Sequence, residues 1–240
     1  MRVEVLFPEI ANLYGELGNI RYLEKSVPDI YVKETSVNEE PAFLDSNEES
    51  FDLVYLGTMS ESSQLLVMEK LAPYREEIIS SIENGQRILV TGNALEIFGK
   101  SISDDTGEKQ QCLGIFDFHT ERKMMNRFNS LYLGKYGDID VAGYKSQFTH
   151  SFYDDSSLKP LFMTERGPGF NPEVKEEGIR YKNFMATYVI GPLFIINPPL
   201  MTAILKEAGV EAEPAFKDAA MDAYRSRIAE YSNPKTGFYY

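Results

Sequence analysis

Few side chains of this chain could serve as a nucleophile or as a general base. The 240 residues contain one cysteine, Cys112, and two histidines, His119 and His150. A cysteine attacks as its thiolate, which needs a neighbouring base or positive charge to form at neutral pH, and a lone cysteine is more often a small buried hydrophobe. We therefore interpret Cys112 as structural. Two histidines and a distant cysteine lack the spacing of a zinc site, so we predict no metal and no cofactor.

The stretch of residues 87–99, RILVTGNALEIFG, predicts a strand, a tight turn at Gly92 and Asn93, and the opening of a helix. In an α/β sheet, such a turn lifts one residue above the sheet edge and directs backbone N–H groups at it. The lifted residue here is Gly92, which adopts the positive φ of this turn easily but has no side chain that could attack a substrate. Thr91 carries a hydroxyl, and we expect it to point into the sheet as a β-branched strand residue.

Composition and charge indicate which partners the chain could bind and in which cellular compartment it would be found. The formal net charge of −13 argues against a nucleic-acid partner, which requires basic surface. The longest apolar run, near residues 189–200, is interrupted by glycine and proline and is shorter than the roughly 20 residues of a membrane span. The first residues, MRVEVLFPE, have no apolar signal region. We therefore expect a cytoplasmic protein with no membrane span.

The element pattern predicts one α/β domain over residues 1–240. Predicted strands at 2–7, 31–35, 52–56 and 87–91 alternate with helices, which indicates parallel crossovers and a doubly wound, mostly parallel sheet. Later pieces at 113–119, 128–133, 138–142 and 185–190 predict an antiparallel flank. Asn19 and Asn197 are predicted helix N-caps. We further predict a C-terminal helix within residues 210–232, with Phe216 on its apolar stripe, and a frayed tail over 233–240, with docking of its three aromatic residues as the alternative.

Several motifs occur in an order that resembles one family. They are FPEIANLYGELGN at residues 7–19, the strand and turn of residues 52–64 with Gly57 and Gln64, the pair Gly143 and Tyr144, and TYVIGPL at residues 187–193. Over about residues 3–205, the chain is similar to class I glutamine amidotransferase domains of the cobyric acid synthase type, which include the glutaminase subunit of lipid II isoglutaminyl synthase. The resemblance implies a flavodoxin-like fold.

The resemblance also implies a site in which the catalytic side chains are replaced. Family members hydrolyse glutamine with a cysteine nucleophile and a histidine base, and these positions fall on Gly92 and Ile190. Thr58 and Met59 replace glycines of the oxyanion loop, and Gln147 stands where the family has another histidine. The residues that the resemblance places at the oxyanion site are Gly57, Thr58, Met59 and Asn93, and those around the pocket are Gln64, Thr91, Tyr144, Gln147, His150 and Tyr188.

Three functions from different classes remain open at this point. The first is a catalytically silent partner subunit of a synthetase, of the Mur-ligase-like or cobyrinate-amidating type. The second is an enzyme of altered chemistry in which Thr91, His150 or a bound group supplies reactivity. The third is a sensor that holds glutamine or another small amide without cutting it. Because a nucleophile and its base are both replaced, we expect that the chain is not a glutaminase.

Overall fold

The computed structural model describes residues 1–155 and 157–239. Its strands are β1 (Arg2–Leu6), β2 (Tyr31–Thr35), β3 (Leu53–Leu56), β4 (Ile88–Thr91), β5 (Ser101–Ser103), β6 (Lys109–Gln111), β7 (Phe118–Arg122), β8 (Phe128–Tyr136), β9 (Ile139–Gln147), β10 (Thr149–Tyr153), β11 (Phe162–Arg166), β12 (Glu176–Glu177), β13 (Ile179–Tyr181) and β14 (Phe184–Thr187). Its α-helices are α1 (Gly18–Ser26), α2 (Glu61–Leu71), α3 (Arg75–Glu83), α4 (Leu193–Ile196), α5 (Pro198–Glu207) and α6 (Lys217–Ser232). No helix in the described part of the chain combines the length and the apolar character that a bilayer crossing requires.

A six-stranded sheet with the order β13-β14-β4-β3-β1-β2 forms the centre of the fold. Its neighbouring strands run parallel except for the pair of β13 and β14. All residues of β3, β4 and β14 are buried, as expected of apolar strands that are covered on both faces. Helices α1, α4 and α5 pack on one face, and α2 and α3 pack on the other. The predicted doubly wound, mostly parallel α/β fold is confirmed.

Two four-stranded sheets, β10-β7-β5-β6 and β12-β11-β8-β9, flank the central sheet, and most of their strand pairs are antiparallel. Two predictions for this flank are wrong, one in the sheet that a strand joins and one in the residue at which a strand begins. Residues 184–187 form β14 in the central sheet, where Met185 lies opposite Leu89 in a parallel pair, because a short apolar run does not reveal which sheet it joins. The strand predicted at 113–119 begins only at Phe118, after Gly114 turns the chain with φ +61°.

Two asparagines join helices to neighbouring elements. The predicted N-cap at Asn19 is wrong, because this residue is buried inside α1, where its amide donates to the Tyr55 hydroxyl (3.0 Å) and accepts from the Phe194 N–H (2.8 Å). Asn197 precedes α5 as predicted but makes no side-chain cap bond. Its amide instead pairs with the N–H and the C=O of Ala142, each at 2.8 Å. In both cases a tertiary contact replaces local capping.

The C-terminal segment differs from its prediction at both ends. Helix α6 begins at Lys217, and Phe216 is 78% exposed with a left-handed backbone (φ +52°), so it does not belong to an apolar stripe. The predicted fraying of the tail is wrong up to residue 239, since Phe238 is buried and its carbonyl accepts from the Leu131 N–H (2.8 Å). The last tail residue, Tyr240, lies outside the described residues.

Candidate functional site

The turn after β4 has the backbone shape that the sequence predicts. Gly92 follows the last residue of the strand and has φ +62°, in the left-handed region that favours glycine. The segment Gly92–Phe98 forms a 3₁₀ helix and not the predicted α-helix. All of its residues except Asn93 are buried, so tertiary packing shapes this segment more than helix propensity does.

The side chain of Thr58 fills the space in front of Gly92. A β-carbon built on Gly92 would lie 2.8 Å from the Thr58 Cβ and 2.7 Å from its Cγ2, and closer still to Oγ1. These separations are far below van der Waals contact. The Thr58 hydroxyl donates to the Thr91 carbonyl (3.3 Å), which holds the side chain against the end of β4. Thr58 therefore occupies the position that any side chain at residue 92 would need.

Asn93 engages the backbone of the neighbouring loop. Its Oδ1 accepts from the Met59 N–H (3.1 Å), and its Nδ2 donates to the Met59 carbonyl (2.9 Å). An oxyanion site requires backbone N–H groups that are free to donate to the substrate oxygen. The Met59 N–H, in the loop to which the resemblance assigns that role, already donates to a side chain. Gly57, in the same loop, lies so close to the Ala11 backbone that it has no room for a β-carbon.

Ile190 is brought next to Tyr144 and is held there by the backbone. The two residues form an isolated β-bridge in which each N–H donates to the other carbonyl at 3.0 Å. The Ile190 side chain is buried and is apolar, so it cannot accept a proton. Tyr144 and Ile190 do not line the cavity above Thr58.

A small cavity of about 50 Å³ lies above Thr58. Binding pockets for small molecules usually measure about 300–1,000 Å³, so this cavity holds only a few heavy atoms. Gln147, Asn93 and Met59 line it as the resemblance implies, and sequence reasoning missed its other walls. Those additional lining residues are Leu13, Tyr14, Glu61, Glu96, Arg122, Ser146, Phe148 and Thr149.

Glu96 is a buried carboxylic acid in the wall of this cavity. Its Oε1 accepts from the hydroxyls of Tyr188 (3.0 Å) and Thr149, and its Oε2 accepts from the Gln64 amide (2.9 Å). Burial raises the pKa of Glu96, and these hydrogen bonds oppose part of the rise. Gln64 also donates to the Asn93 carbonyl (2.7 Å). Glu96 thus joins two residues that the resemblance places near the pocket, Gln64 and Tyr188.

Two polar atoms at this cavity have no hydrogen-bond partner among the described residues. The Gln147 Nε2 donates to the Thr149 carbonyl (2.6 Å), which leaves its buried Oε1 as an unpaired acceptor. The Arg122 Nε is a buried donor that is also unpaired. Buried polar groups are usually satisfied by protein or by ordered water. Both atoms belong to residues that line the cavity, although the atoms themselves are buried.

The other candidate nucleophiles and bases lie away from the cavity. The Thr91 hydroxyl is buried beside the Tyr55 hydroxyl (2.9 Å). His150 stacks on Phe128 with ring centroids 4.4 Å apart, and burial lowers its pKa. Burial raises the pKa of the Cys112 thiol to about 12, which leaves it without thiolate at neutral pH. Within the described ranges, no group of three or more His, Cys, Asp and Glu side chains could hold a metal ion.

Comparisons with known proteins identify the family. The model of the CobB/CobQ-like glutamine amidotransferase domain matches residues 2–195. Two similar proteins are GatD subunits of lipid II isoglutaminyl synthase (glutamine-hydrolyzing). The protein from Staphylococcus aureus (strain N315) is 27% identical over 209 residues, which cover 85% of this chain and 84% of the relative. The protein from Streptococcus pneumoniae (strain ATCC BAA-255 / R6) is 26% identical over 244 residues, which cover 98% and 92%.

Solved structures share the fold. A crystal structure of a glutamine amidotransferase has a TM-score of 0.58 and 14% identity, and the match covers 86% of this chain and 99% of that one. A glutamine amidotransferase from Thermotoga maritima has a TM-score of 0.55 and 10% identity, and the match covers 95% and 94%. Because the family model spans most of its length, this chain belongs to the CobB/CobQ-like glutamine amidotransferase domain family.

Proposed function

We propose that this chain is a catalytically silent member of its family and acts as the partner subunit of a synthetase. The observation that carries the proposal is the position of Thr58, which fills the space that a nucleophilic side chain at residue 92 would occupy. A single substitution that placed a nucleophile at residue 92 would therefore clash with Thr58.

The remaining parts of a glutaminase site support the same conclusion. Hydrolysis of a side-chain amide needs a nucleophile, a base that takes its proton, and donors for the tetrahedral oxyanion. Ile190 occupies the proposed base position and is apolar, and the Met59 N–H donates to Asn93 instead of facing an open site. When nucleophile and base are removed together, the only catalysis left comes from binding and the oxyanion site. Here the Met59 N–H, which would be the donor to the oxyanion, already donates to the Asn93 side chain.

The partner role is supported by the relatives. Both GatD proteins are named as subunits of a glutamine-hydrolysing synthase that acts on lipid II. We propose that this chain likewise binds a synthetase, of the Mur-ligase-like (cell-wall amidation) or cobyrinate-amidating type, in the cytoplasm. In such a complex the chain would contribute binding surface, and the amide nitrogen would come from free ammonium.

The test separates the subunit role from catalysis. The chain is co-expressed with a Mur-ligase-like or cobyrinate-amidating synthetase from the same genome, and amidation by the purified pair is measured with glutamine or with ammonium chloride as the nitrogen source. We expect a stable complex that uses ammonium, and no release of ammonia from glutamine above the uncatalysed rate. Glutamine-dependent turnover would overturn the proposal of silence. If Thr91→Ala or His150→Ala abolished that turnover, altered chemistry would be the correct function.

A second candidate function is supported by the unpaired atoms of the cavity. If the two side chains rotate so that these buried atoms face the cavity, the Arg122 Nε–H would donate to the carbonyl oxygen of a carboxamide and the Gln147 Oε1 would accept from its NH₂ group. The cavity has room for such a head group and not for a whole amino acid. This arrangement supports a sensor that binds a small amide without cutting it.

The sensor hypothesis is tested by ligand-induced stabilisation, because a ligand that binds only the folded state raises the melting temperature. Acetamide should raise the melting temperature of the wild type and not that of Gln147→Leu, and acetate should have a smaller effect. An equal shift in both proteins would show that acetamide acts elsewhere. The absence of any shift at high acetamide concentration would remove this candidate.

A further inference from the structure

The last part of the chain packs on the outside of the body. We call residues 217–239, which comprise α6 and the described tail, the C-terminal arm. None of the 16 residues of α6 is buried. The helix lies against β8, β9, α4 and α5. Its side-chain hydrogen bonds to them come from the Tyr224 hydroxyl, which donates to the Asp140 carbonyl (2.9 Å), and from the Arg227 guanidinium, which donates to the Ile196 carbonyl (3.3 Å). The arm therefore covers little of the apolar core.

One residue of the body binds the end of the arm. The Arg166 guanidinium donates to the carbonyls of Tyr231, Asn233 (2.7 Å) and Thr236 (2.9 Å), and it stacks on the Phe238 ring at 4.1 Å from the centroid. Phe238 is only 6% exposed. We call Arg166 and the pocket that receives Phe238 the arm seat. A planar guanidinium has five N–H donors and can bind three neighbouring carbonyls at once, whereas a lysine ammonium cannot reproduce this geometry.

The arm also closes an open strand edge. Strand β11 pairs with β8 only as far as Leu133. Further along β8, the Leu131 N–H donates to the Phe238 carbonyl (2.8 Å), and Tyr239 forms a bridge with Ser130. Unpaired strand edges are templates for pairing with another chain. If the arm left its seat, it would expose backbone groups that an identical arm could bind.

A pivot lies between the body and the arm. Ala215 is fixed to the body, because its N–H donates to the Ser26 hydroxyl (3.0 Å) and its carbonyl accepts from the Tyr22 hydroxyl (2.9 Å). The next residue, Phe216, has φ +52° and is 78% exposed. A left-handed backbone is costly for a bulky residue. Reorientation of the arm at Phe216 would release this strain without disturbing the core.

We propose that the C-terminal arm is exchangeable and that the arm seat of one copy binds the arm of a second copy of this chain. The seat is complementary to this sequence because it already holds it, and exchange replaces each contact by the same contact between copies. In dilute solution the closed form prevails, because a tethered arm reaches its own seat at an effective concentration of about millimolar. Exchange should be detectable when one copy has a damaged seat and the other has a weakened arm, because the closed form of each copy is then destabilised. This proposal is independent of the proposed function.

The chain contains no tryptophan, so a tryptophan in the arm reports its burial without background. The donor copy carries Arg166→Ala and Phe238→Trp, which combine a broken seat with a labelled arm. The acceptor copy carries Phe238→Ala, which combines an intact seat with a weakened arm. The single variant Phe238→Trp is the reference, because its tryptophan fluorescence is that of an arm bound in its own seat. We expect the donor copy to emit at longer wavelength, and its emission to return to the seated value as the acceptor copy is added.

The titration should saturate at one acceptor per donor, and light scattering should show the mass of two chains. An acceptor with both Arg166→Ala and Phe238→Ala has no seat and should cause no shift. If Arg166→Ala impairs folding, Arg166→Lys serves in its place, because it keeps the charge and cannot bind the three carbonyls at once. The proposal is overturned if no shift occurs up to about millimolar acceptor, or if the shift occurs without a change in mass.

Discussion

Thr58 and Gly92 act as one packing unit at the scale of single residues. The hydroxyl and methyl groups of Thr58 occupy the space in which a side chain at residue 92 would begin. Each residue is therefore compatible with the site only because of the other. A pair of this kind should show a large interaction energy, since substitutions in contact are not additive.

A double-mutant cycle tests this coupling. Gly92→Ala in the wild type should cost about 1–3 kcal/mol for overpacking, in addition to about 1–2 kcal/mol for a β-carbon in the left-handed region. In a Thr58→Gly background only the second cost should remain. The free energies of unfolding are measured by urea denaturation of the four proteins. Equal costs of Gly92→Ala in the two backgrounds would contradict the contact.

Glu96 should make stability depend on pH with a defined sign. Burial raises the pKa of Glu96 above its ordinary value of 4.5 in the folded protein, so the folded state binds its proton more tightly than the unfolded state does. The associated stabilisation is complete below the unfolded pKa and is lost as pH rises through the folded pKa. Relative to Glu96→Gln, the wild type should become less stable as the pH is raised from 4.5.

Urea midpoints of the wild type and of Glu96→Gln, measured from pH 4.5 to pH 8, check this sign. Taking the difference between the two proteins cancels the titration of the other acidic groups, some of which have lowered pKa values, such as Glu207. A difference that stays constant over this range would mean that the pKa of Glu96 is ordinary in the folded state.

At the scale of elements, a buried ion pair joins three strands. Lys145 on β9 donates to the carboxylate of Glu177 on β12 and to the Gly169 carbonyl (2.6 Å), and neither charged side chain is exposed. Glu177 also accepts from the Thr187 hydroxyl (2.9 Å) at the end of β14 and from the Tyr188 N–H (2.8 Å). The pair thus connects the flanking sheet β12-β11-β8-β9 to the central sheet.

Removal of one partner should be costly. Lys145→Met leaves the Glu177 carboxylate buried without its counter-charge, and we expect a loss of about 3–5 kcal/mol. The double substitution Lys145→Met with Glu177→Gln removes both charges and should cost less than Lys145→Met alone. Denaturant unfolding measures both free energies. A double variant that is less stable than Lys145→Met would show that the hydrogen bonds of the Glu177 carboxylate matter more than its charge.

The elements that could be predicted from the sequence are those that local patterns define. Strand β4 and the positive φ of Gly92 follow from an apolar run and a Gly-Asn pair that are adjacent in the chain. The sheet that residues 184–187 join depends on a partner strand about 96 residues away, and no local pattern encodes that pairing. Asn19 has the residue type of a cap, but buried partners in β3 and α4 recruit its amide.

The cavity was harder to predict than the turn. Arg122 and Tyr14 come from segments that meet only in the folded chain, so spacing carries no signal for them. The sequence does carry a signal for Glu96, because it is the one charged residue in the stretch NALEIFG. A charge at a buried position usually needs dedicated partners. Gln64, Thr149 and Tyr188 are those partners.

At the scale of the whole molecule, stability should be distributed unevenly. The strands β3, β4 and β14 are completely buried, whereas no residue of α6 is. Regions with few buried contacts open at low free energy, and core strands exchange only through global unfolding. Hydrogen exchange of the native protein should therefore show slow amides in these three strands and fast amides throughout α6. Protection of α6 equal to that of α5 would contradict this prediction.

The contact between Thr58 and residue 92 also limits the order in which this site could change. Two substitutions, Thr58→Gly and Gly92→Cys, separate the present turn from one that carries a thiol. With Thr58 in place, a cysteine at residue 92 overlaps the Thr58 side chain, so that intermediate should carry the overpacking cost of about 1–3 kcal/mol. The route that removes the threonine first avoids this overpacking cost. A single substitution to cysteine at residue 92 should therefore be less stable than the same substitution made after Thr58→Gly.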